Sequence, residues 1–203
     1  MTTNPMDPEL VKQAIDFHGH WCPGLAIGVR AAQWALQQMG KAPDEEIVAV
    51  VETDMCGIDA IQALIGCTFG KGNLIYKDYG KNAFTFYRRR DGKSARLVFN
   101  RAAYGNTGSQ LGSLHRKLLE EGLTPEEEKQ WKESRAMASK LVMEADLNDL
   151  FEVKPAPESV PEKARILASL VCDACNEAVM ETRTRRMHEK TLCIPCFEAM
   201  EKR

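Results

Sequence analysis

The chain has 203 residues, enough for one domain of common size plus a small module, and 44% of them are hydrophobic and 28% charged. That composition excludes the disordered and fibrous classes, and a formal net charge of −2 argues against wholesale nucleic-acid binding or adhesion to a membrane surface. No apolar stretch approaches the ~20 residues that span a bilayer. The opening Met1-Thr-Thr-Asn-Pro-Met-Asp-Pro8 has neither the basic segment nor the apolar core of a secretory signal, so the expectation is a cytoplasmic, non-membrane protein whose cysteines stay reduced.

In chain order, Asp7 and Pro8 predict a helix start, with Leu10, Val11, Ala14, Ile15 and Phe17 as its apolar face. A second helix is expected just after Cys22, carrying Leu25, Val29, Ala32, Leu36 and Met39 at helical spacing and stopping at Gly40. Ile47 to Val51 reads as a buried strand that delivers Glu52 to Cys56 at its C-terminal end, and Asp59 to Ile65 reads as a helix. After a glycine-rich loop (Thr68 to Asn73), strands are expected over Leu74–Tyr79, Ala83–Arg89 and Ser94–Phe99, the last two joined by a two-residue Asp91-Gly92 turn. Tyr104 to Gly112 has a loop composition. Helices follow over Leu111–Glu121 and Pro125–Leu141, the latter with Thr124 and Glu127 in capping-box register. Strands in hairpins and helices in runs give an α+β class: a mixed or antiparallel sheet packed with helices. Three prolines within Lys154–Pro161 mark the boundary. The expected division is a core over 1–153, a Pro-rich linker and lead-in over 154–169, and a small four-cysteine zinc module over 170–203.

Seven cysteines fall into two chemical populations. Cys172-Asp-Ala-Cys175 and Cys193-Ile-Pro-Cys196 are CxxC pairs separated by 17 residues, a spacing that lets two tight turns complete a tetrahedron of thiolates around zinc. Four thiolates leave no open position, so this zinc reads as structural, and redox pairs are the weaker alternative because no thioredoxin-like βαβ context surrounds them. Ala178 to Leu192 should form one hairpin and the residues after Cys196 a short helix, in a zinc-ribbon or treble-clef arrangement. The cluster Arg183, Arg185, Arg186, His188 and Lys190 could meet an anionic partner such as nucleic acid, but Glu177, Glu181 and Glu189 dilute it and favour a solvated face.

The second population opens with His18-Gly-His20-Trp-Cys22. In an extended conformation His18, His20 and Cys22 project from one face, and two imidazoles with a thiolate suit zinc while leaving a fourth position for water or substrate. Cys22 also sits where a helix should begin, a place that favours a reactive thiolate. The competing reading is structural, with Gly19 allowing a turn that would spread the three side chains. Cys56 ends a buried strand, a common address for functional groups, whereas Cys67 fits a buried small hydrophobe. Asp54 and Asp59 could orient an imidazole or act as caps. Gly66 to Gly72 misses the phosphate-binding pattern of nucleotide triphosphatases, though its Lys71 could still face an anionic group. Arg88, Arg89 and Arg90 read as a solvated strand edge.

Phe17-His18-Gly-His20-Trp-Cys22-Pro23-Gly24-Leu-Ala-Ile-Gly28, Cys56-Gly-Ile-Asp59-Ala-Ile-Gln62, Gly66-Cys67-Thr68-Phe-Gly70-Lys71-Gly72-Asn73 and Tyr79-Gly80-Lys81 together resemble the FmdE family, named for one of the subunits of formylmethanofuran dehydrogenase. The C-terminal CxxC pairs are similar to a zinc-binding appendage found on part of that family. The resemblance implies an α+β core, a homodimer, and a cavity whose candidates by position are His18, His20, Cys22, Cys56 and Cys67 as metal ligands. The candidate catalytic groups are Cys22, Cys56 and His20, and the glycine-rich loop offers Lys71 and Asn73 as candidate cofactor-binding residues. Two functions compete. One is a metal- or thiol-dependent enzyme, or an accessory subunit of one-carbon or molybdopterin-linked redox metabolism, with a second metal in the cavity and a dehydrogenase complex as partner. The other is a regulatory or sensor protein whose zinc module contacts protein or nucleic acid.

Overall fold

Pro8 at the first helical position and Asp7, whose carboxylate accepts from Glu9 N at 2.9 Å, open helix α1 (Pro8–His18). Gly19 closes it with φ 92°, a backbone value that disfavours any residue with a Cβ, and donates its N–H to the Ile15 carbonyl. Helix α2 (Pro23–Met39) starts directly after Cys22 and is buried along most of its length. This computed structural model describes residues 6–40 and 44–202, so the first five residues of the N-terminal segment lie outside the described residues. The chain divides into two units, Met1–Lys163 and Ala164–Arg203.

In the first unit, strand β1 (Ile47–Val51), helix α3 (Gly57–Ile65) and strand β2 (Leu74–Tyr76) are followed by β3 (Ala83–Arg88) and β4 (Ser94–Phe99). Helices α4 (Gly105–Glu120), α5 (Pro125–Glu144) and α6 (Leu147–Leu150) lead to the last strand, β5 (Phe151–Lys154). The sheet runs β2-β1-β3-β4-β5, with β2 parallel to β1 and every other pair antiparallel. One face carries Ile47, Ala49, Val51, Phe84, Phe86 and Leu97 into a core shared with α2 and α3. The opposite face buries Val48, Val50 and Tyr87 beneath Ala156 and Val160. Covering on both faces explains why β1 is apolar at every position rather than alternating.

Four elements differ from the sequence expectation. β2 stops at Tyr76 because β1 ends at Val51; beyond it, Tyr79 N–H and Lys81 N–H both converge on the Glu52 carbonyl. The β3–β4 connection is longer than two residues: Gly92 N donates to Arg88 O, and Asp91 accepts from the Arg88 guanidinium instead of forming a tight turn. The glycine-rich stretch after Tyr104 is the first turn of α4, not a loop. A Cβ at Gly108 would lie 3.1 Å from Tyr104 Cβ, so small residues here admit the Tyr104 side chain, whose ring packs edge-on to Phe99 at 5.2 Å. Tertiary contact outweighs poor helix propensity. The Pro-rich segment, finally, packs on the sheet in its first half. Lys77 pairs with Glu158, the Arg89 guanidinium donates to the Pro161 and Glu162 carbonyls, and the Arg88 guanidinium donates to the Met39 carbonyl, so Arg88 and Arg89 are structural ties rather than a solvated edge. The division between the two units falls within 154–169. The expected capping box at Thr124 and Glu127 is present.

The second unit contains two hairpins where one was expected: β6 (Ser169–Val171) with β7 (Ala178–Met180), and β8 (Thr184–Met187) with β9 (Lys190–Cys193). A single turn of 3-10 helix at Glu181–Arg183, closed by Thr184 Oγ1 donating to Glu181 O, breaks the long hairpin in two. Helix α7 (Ile194–Glu201) follows Cys193. Among the described residues no helix is long and apolar enough to cross a membrane.

Candidate functional site

The C-terminal centre is closed by two local devices. The β6–β7 loop carries Cys172 and Cys175, and the start of α7 carries Cys193 and Cys196, so all four sulfurs lie within 4.8 Å of one another. Cys172 is buried, and its sulfur accepts from Cys193 N at 3.3 Å. That backbone N–H, with those of Cys175 and Ala174, holds the Cys172 thiol down at about 6. The crowding acts oppositely on Cys196, which the neighbouring Cys193 and Cys175 thiols push up to about 12. Four sulfurs this close are reconciled by a divalent soft cation, and among the described residues no fifth donor joins the set, as structural zinc requires.

The core cluster is built where α1, α2 and α3 meet. His18 is the last residue of α1, Gly19 turns the chain, and Cys22 is the N-cap of α2. The three donors of His18, His20 and Cys22 therefore come within 4.8 Å of one another. They converge through a helix end and a left-handed glycine rather than along an extended strand, and the turn at Gly19 gathers them instead of spreading them. His18 Nδ1 is 2.6 Å from Asp59 Oδ2 on α3, which leaves Nε2 directed toward Cys22 Sγ at 3.9 Å. The His18 and His20 rings lie 4.4 Å apart, centroid to centroid. A carboxylate on one imidazole nitrogen fixes the ring and leaves the other nitrogen as a donor, the usual support of a metal-binding histidine. Cys22 Sγ accepts from Leu25 N at 3.3 Å, among the free N–H groups of the first turn of α2. The donor set fits a borderline-soft metal with at least one open position.

Cys56, the residue before α3, adjoins this cluster but is not within it. Burial, and then the neighbouring Cys22 thiol, push its thiol up. What brings the starts of α2 and α3 together is the contact of Gly28 with Gly57: a Cβ at Gly28 would lie 2.1 Å from Gly57 O. Asp54 is exposed and takes no part in orienting the histidines.

Three expected site residues belong elsewhere. Cys67 is fully buried and donates to the Ile47 carbonyl at 3.3 Å, and burial drives its thiol up to about 12. It is a packed small hydrophobe, not a ligand. Asn73 is 1% exposed and spends its amide on Thr68 N, Ile47 O and Gly66 O, tying the loop to β1. Both its amide protons are spent on backbone carbonyls, so its observed role is to hold the loop. Lys71 lies in the same loop, beyond the C-terminal end of α3, whereas the cluster sits at that helix's N-terminal end, about 13 Å away along nine residues. Sequence reasoning missed the pairing of Glu52 with Arg96, whose Nε and Nη2 donate to both carboxylate oxygens at 2.6 and 2.7 Å; no spacing announces a pair 44 residues apart.

Residues 17–152 match the family described as FmdE, molybdenum formylmethanofuran dehydrogenase operon, and residues 165–202 match the prokaryotic dksA/traR C4-type zinc finger. The chain is 32% identical over 201 residues to a protein of Archaeoglobus fulgidus named "Probable S-adenosyl-L-methionine-binding protein". That alignment covers 92% of this chain and 52% of the relative, so the chain spans about half the relative's length. Among solved structures, an FmdE-like protein from Syntrophus aciditrophicus, named after tungsten formylmethanofuran dehydrogenase, superposes with a TM-score of 0.61 at 25% identity, covering 100% of both chains.

Proposed function

The chain belongs to the FmdE family and carries a C-terminal C4 zinc finger, and from that premise we propose that its core is a second, functional metal centre held by His18, His20 and Cys22. The observation that carries this reading is the His18 to Asp59 contact at 2.6 Å beside a thiol at 3.9 Å, a supported imidazole and a sulfur sharing one focus. A metal bound there would supply Lewis acidity and a bound water of lowered pKa at its open position. The chain's own residues do the rest. Asp59 fixes the His18 tautomer, Leu25 N steadies the Cys22 sulfur, and Cys56 places a second thiol next to the centre. In this reading the protein is an enzyme or an accessory subunit of one-carbon or molybdopterin-linked redox metabolism, working as a homodimer or docked to a dehydrogenase complex. The dehydrogenase named for the family, and the ligand named for the Archaeoglobus relative, supply candidate contexts only.

Metal titration of the full chain tests the proposal. Two classes of site are expected, and Asp59→Asn should weaken the core class about 10- to 100-fold while leaving the C4 class intact. A single class, unchanged in Cys22→Ser, sinks the proposal. A regulatory reading rests on a different observation, the exposure of Arg183, Arg185 and Arg186 in the zinc-finger unit. It requires salt-dependent binding to nucleic acid that charge reversal at those three positions abolishes.

A further inference from the structure

Beside the core cluster, α5 and the residue between His20 and Cys22 line an open cleft of about 370 Å³ formed by Trp21, Trp131, Lys132, Arg135, Ala136 and Ser139. We propose that this cleft is the substrate subsite of the core centre and that it takes a planar organic anion, an aromatic or heteroaromatic ring bearing a carboxylate. The inference rests on the metal reading of His18, His20 and Cys22, because Trp21 sits one residue from two of those ligands and brings whatever it contacts next to them.

The walls argue for the ligand class. Two of the chain's three tryptophans meet here, and Trp21 is 36% exposed, a large apolar ring left at the surface without full cover. Trp131 is held by its neighbours: the His115 ring stacks on it at 5.7 Å and 16°, and the Arg135 guanidinium carbon lies 5.6 Å from its centroid. The charged groups are Lys132 and Arg135, and no carboxylate is among the lining residues. A guanidinium and an ammonium beside the exposed Trp21 indole and the half-buried Trp131 match a flat ring with an anionic substituent, the ring against the open face of Trp21 and the carboxylate on the planar donor fork of Arg135. The volume lies at the lower end of small-molecule sites, which suits one or two fused rings better than a nucleotide.

The scaffold keeps this geometry rigid. The α5 residues Ser134, Ala138, Ser139 and Val142 are buried. From α2, buried Arg30 reaches the Ala145 carbonyl just past the end of α5 and hydrogen-bonds Gln33 on its own helix. The wall carrying Trp131 and Arg135 is therefore tied to the helix that Cys22 caps.

The test uses full-length, metal-replete protein with 2-naphthoate as probe and tryptophan fluorescence as readout. Saturable binding at about 1 mM or tighter is expected. The neutral 2-naphthalenemethanol and the cationic 2-naphthylmethylamine should bind at least about tenfold more weakly. Trp21→Ala and Arg135→Ala should each weaken naphthoate about tenfold, and surface reversal Lys132→Glu should do the same without touching a packed side chain. Metal content should stay unchanged in all three. No saturable binding, or equal binding of acid, alcohol and amine, overturns the inference. So does naphthoate binding that ignores these substitutions but disappears in Cys22→Ser, since the metal would then hold the carboxylate. Naphthoate binding that depends on Trp21 and Arg135 in a protein whose core takes up no metal upholds the cleft's ligand class and overturns the metal reading instead.

Discussion

Gly28→Ala is expected to damage both the core and its site, in spite of the helix propensity that alanine brings. A Cβ at Gly28 would fall 2.1 Å from Gly57 O and 2.3 Å from Gly57 Cα, whereas ordinary contact begins near 3.4 Å. The obstructing atoms are backbone, so no rotamer relieves the clash, and α2 and α3 must separate by about 1.3 Å. Overpacking costs about 1–3 kcal/mol, and a clash with backbone places this case at the upper end, about 3 kcal/mol, against a gain of about 1 kcal/mol for removing a helical glycine. A net loss of about 2 kcal/mol lowers the core melting temperature by about 4–8 °C for a domain of this size. Because Cys22 caps α2 and Asp59 rides on α3, metal affinity at the core should fall with stability. Gly112→Ala is the control: its Cβ would meet nothing within 4 Å in the middle of α4, so the same substitution should stabilise by up to about 1 kcal/mol. Thermal and denaturant unfolding of the two variants gives the answer. Shifts in the same direction, or an unaltered core in Gly28→Ala, refute the close-approach argument.

Glu52→Gln should destabilise the core by about 3 kcal/mol in denaturant melts, because it leaves the Arg96 guanidinium without its charged partner in a largely buried site. The Arg96 hydrogen bond holds the Glu52 carboxyl below its ordinary value, so its stabilisation is present above the ordinary carboxylate range and is lost as pH falls through the lowered folded value. Acid unfolding of Glu52→Gln should therefore be shallower than that of the parent, and parallel acid limbs would contradict the pairing. Chelation at neutral pH, or Cys193→Ser, should expose the C-terminal thiols and make residues after Lys163 protease-sensitive while the core resists, as mass-mapped limited proteolysis will show. Cooperative loss of the whole chain would contradict independent units. Cys67, with its thiol pushed to about 12 by burial, should be the last cysteine alkylated at pH 8 in native protein, and early labelling there would refute its place in the core.

The local signals in the sequence were sufficient for α1, α2, β1 and the α5 capping box, since each is written within a few residues. The four-cysteine centre was equally legible, because its two CxxC turns need only a scaffold that brings them together. His18, His20 and Cys22 were legible as a set but not as a geometry: a helix ending on His18 and a left-handed Gly19 replace the extended strand that spacing suggested. Cys67 was legible from its residues as a buried small hydrophobe, and only the resemblance placed it among the ligands; Asn73 was harder to read, because a glycine-rich loop looks the same whether its amides serve a ligand or tie the loop to a strand. The Gly28 to Gly57 contact, the Glu52–Arg96 pair and the Trp21–Trp131 cleft join residues far apart in the chain, and periodicity carries no trace of such meetings.

The central claim is a metal held by His18, His20 and Cys22, and anomalous scattering from crystals of the protein purified without added metal addresses it most directly. Two peaks per chain are expected, one among Cys172, Cys175, Cys193 and Cys196 and one bonded to His18 Nε2, His20 and Cys22 Sγ, the second vanishing in Cys22→Ser. A single peak at the four cysteines, with His18 still turned to Asp59 and no scatterer beside it, would contradict the account.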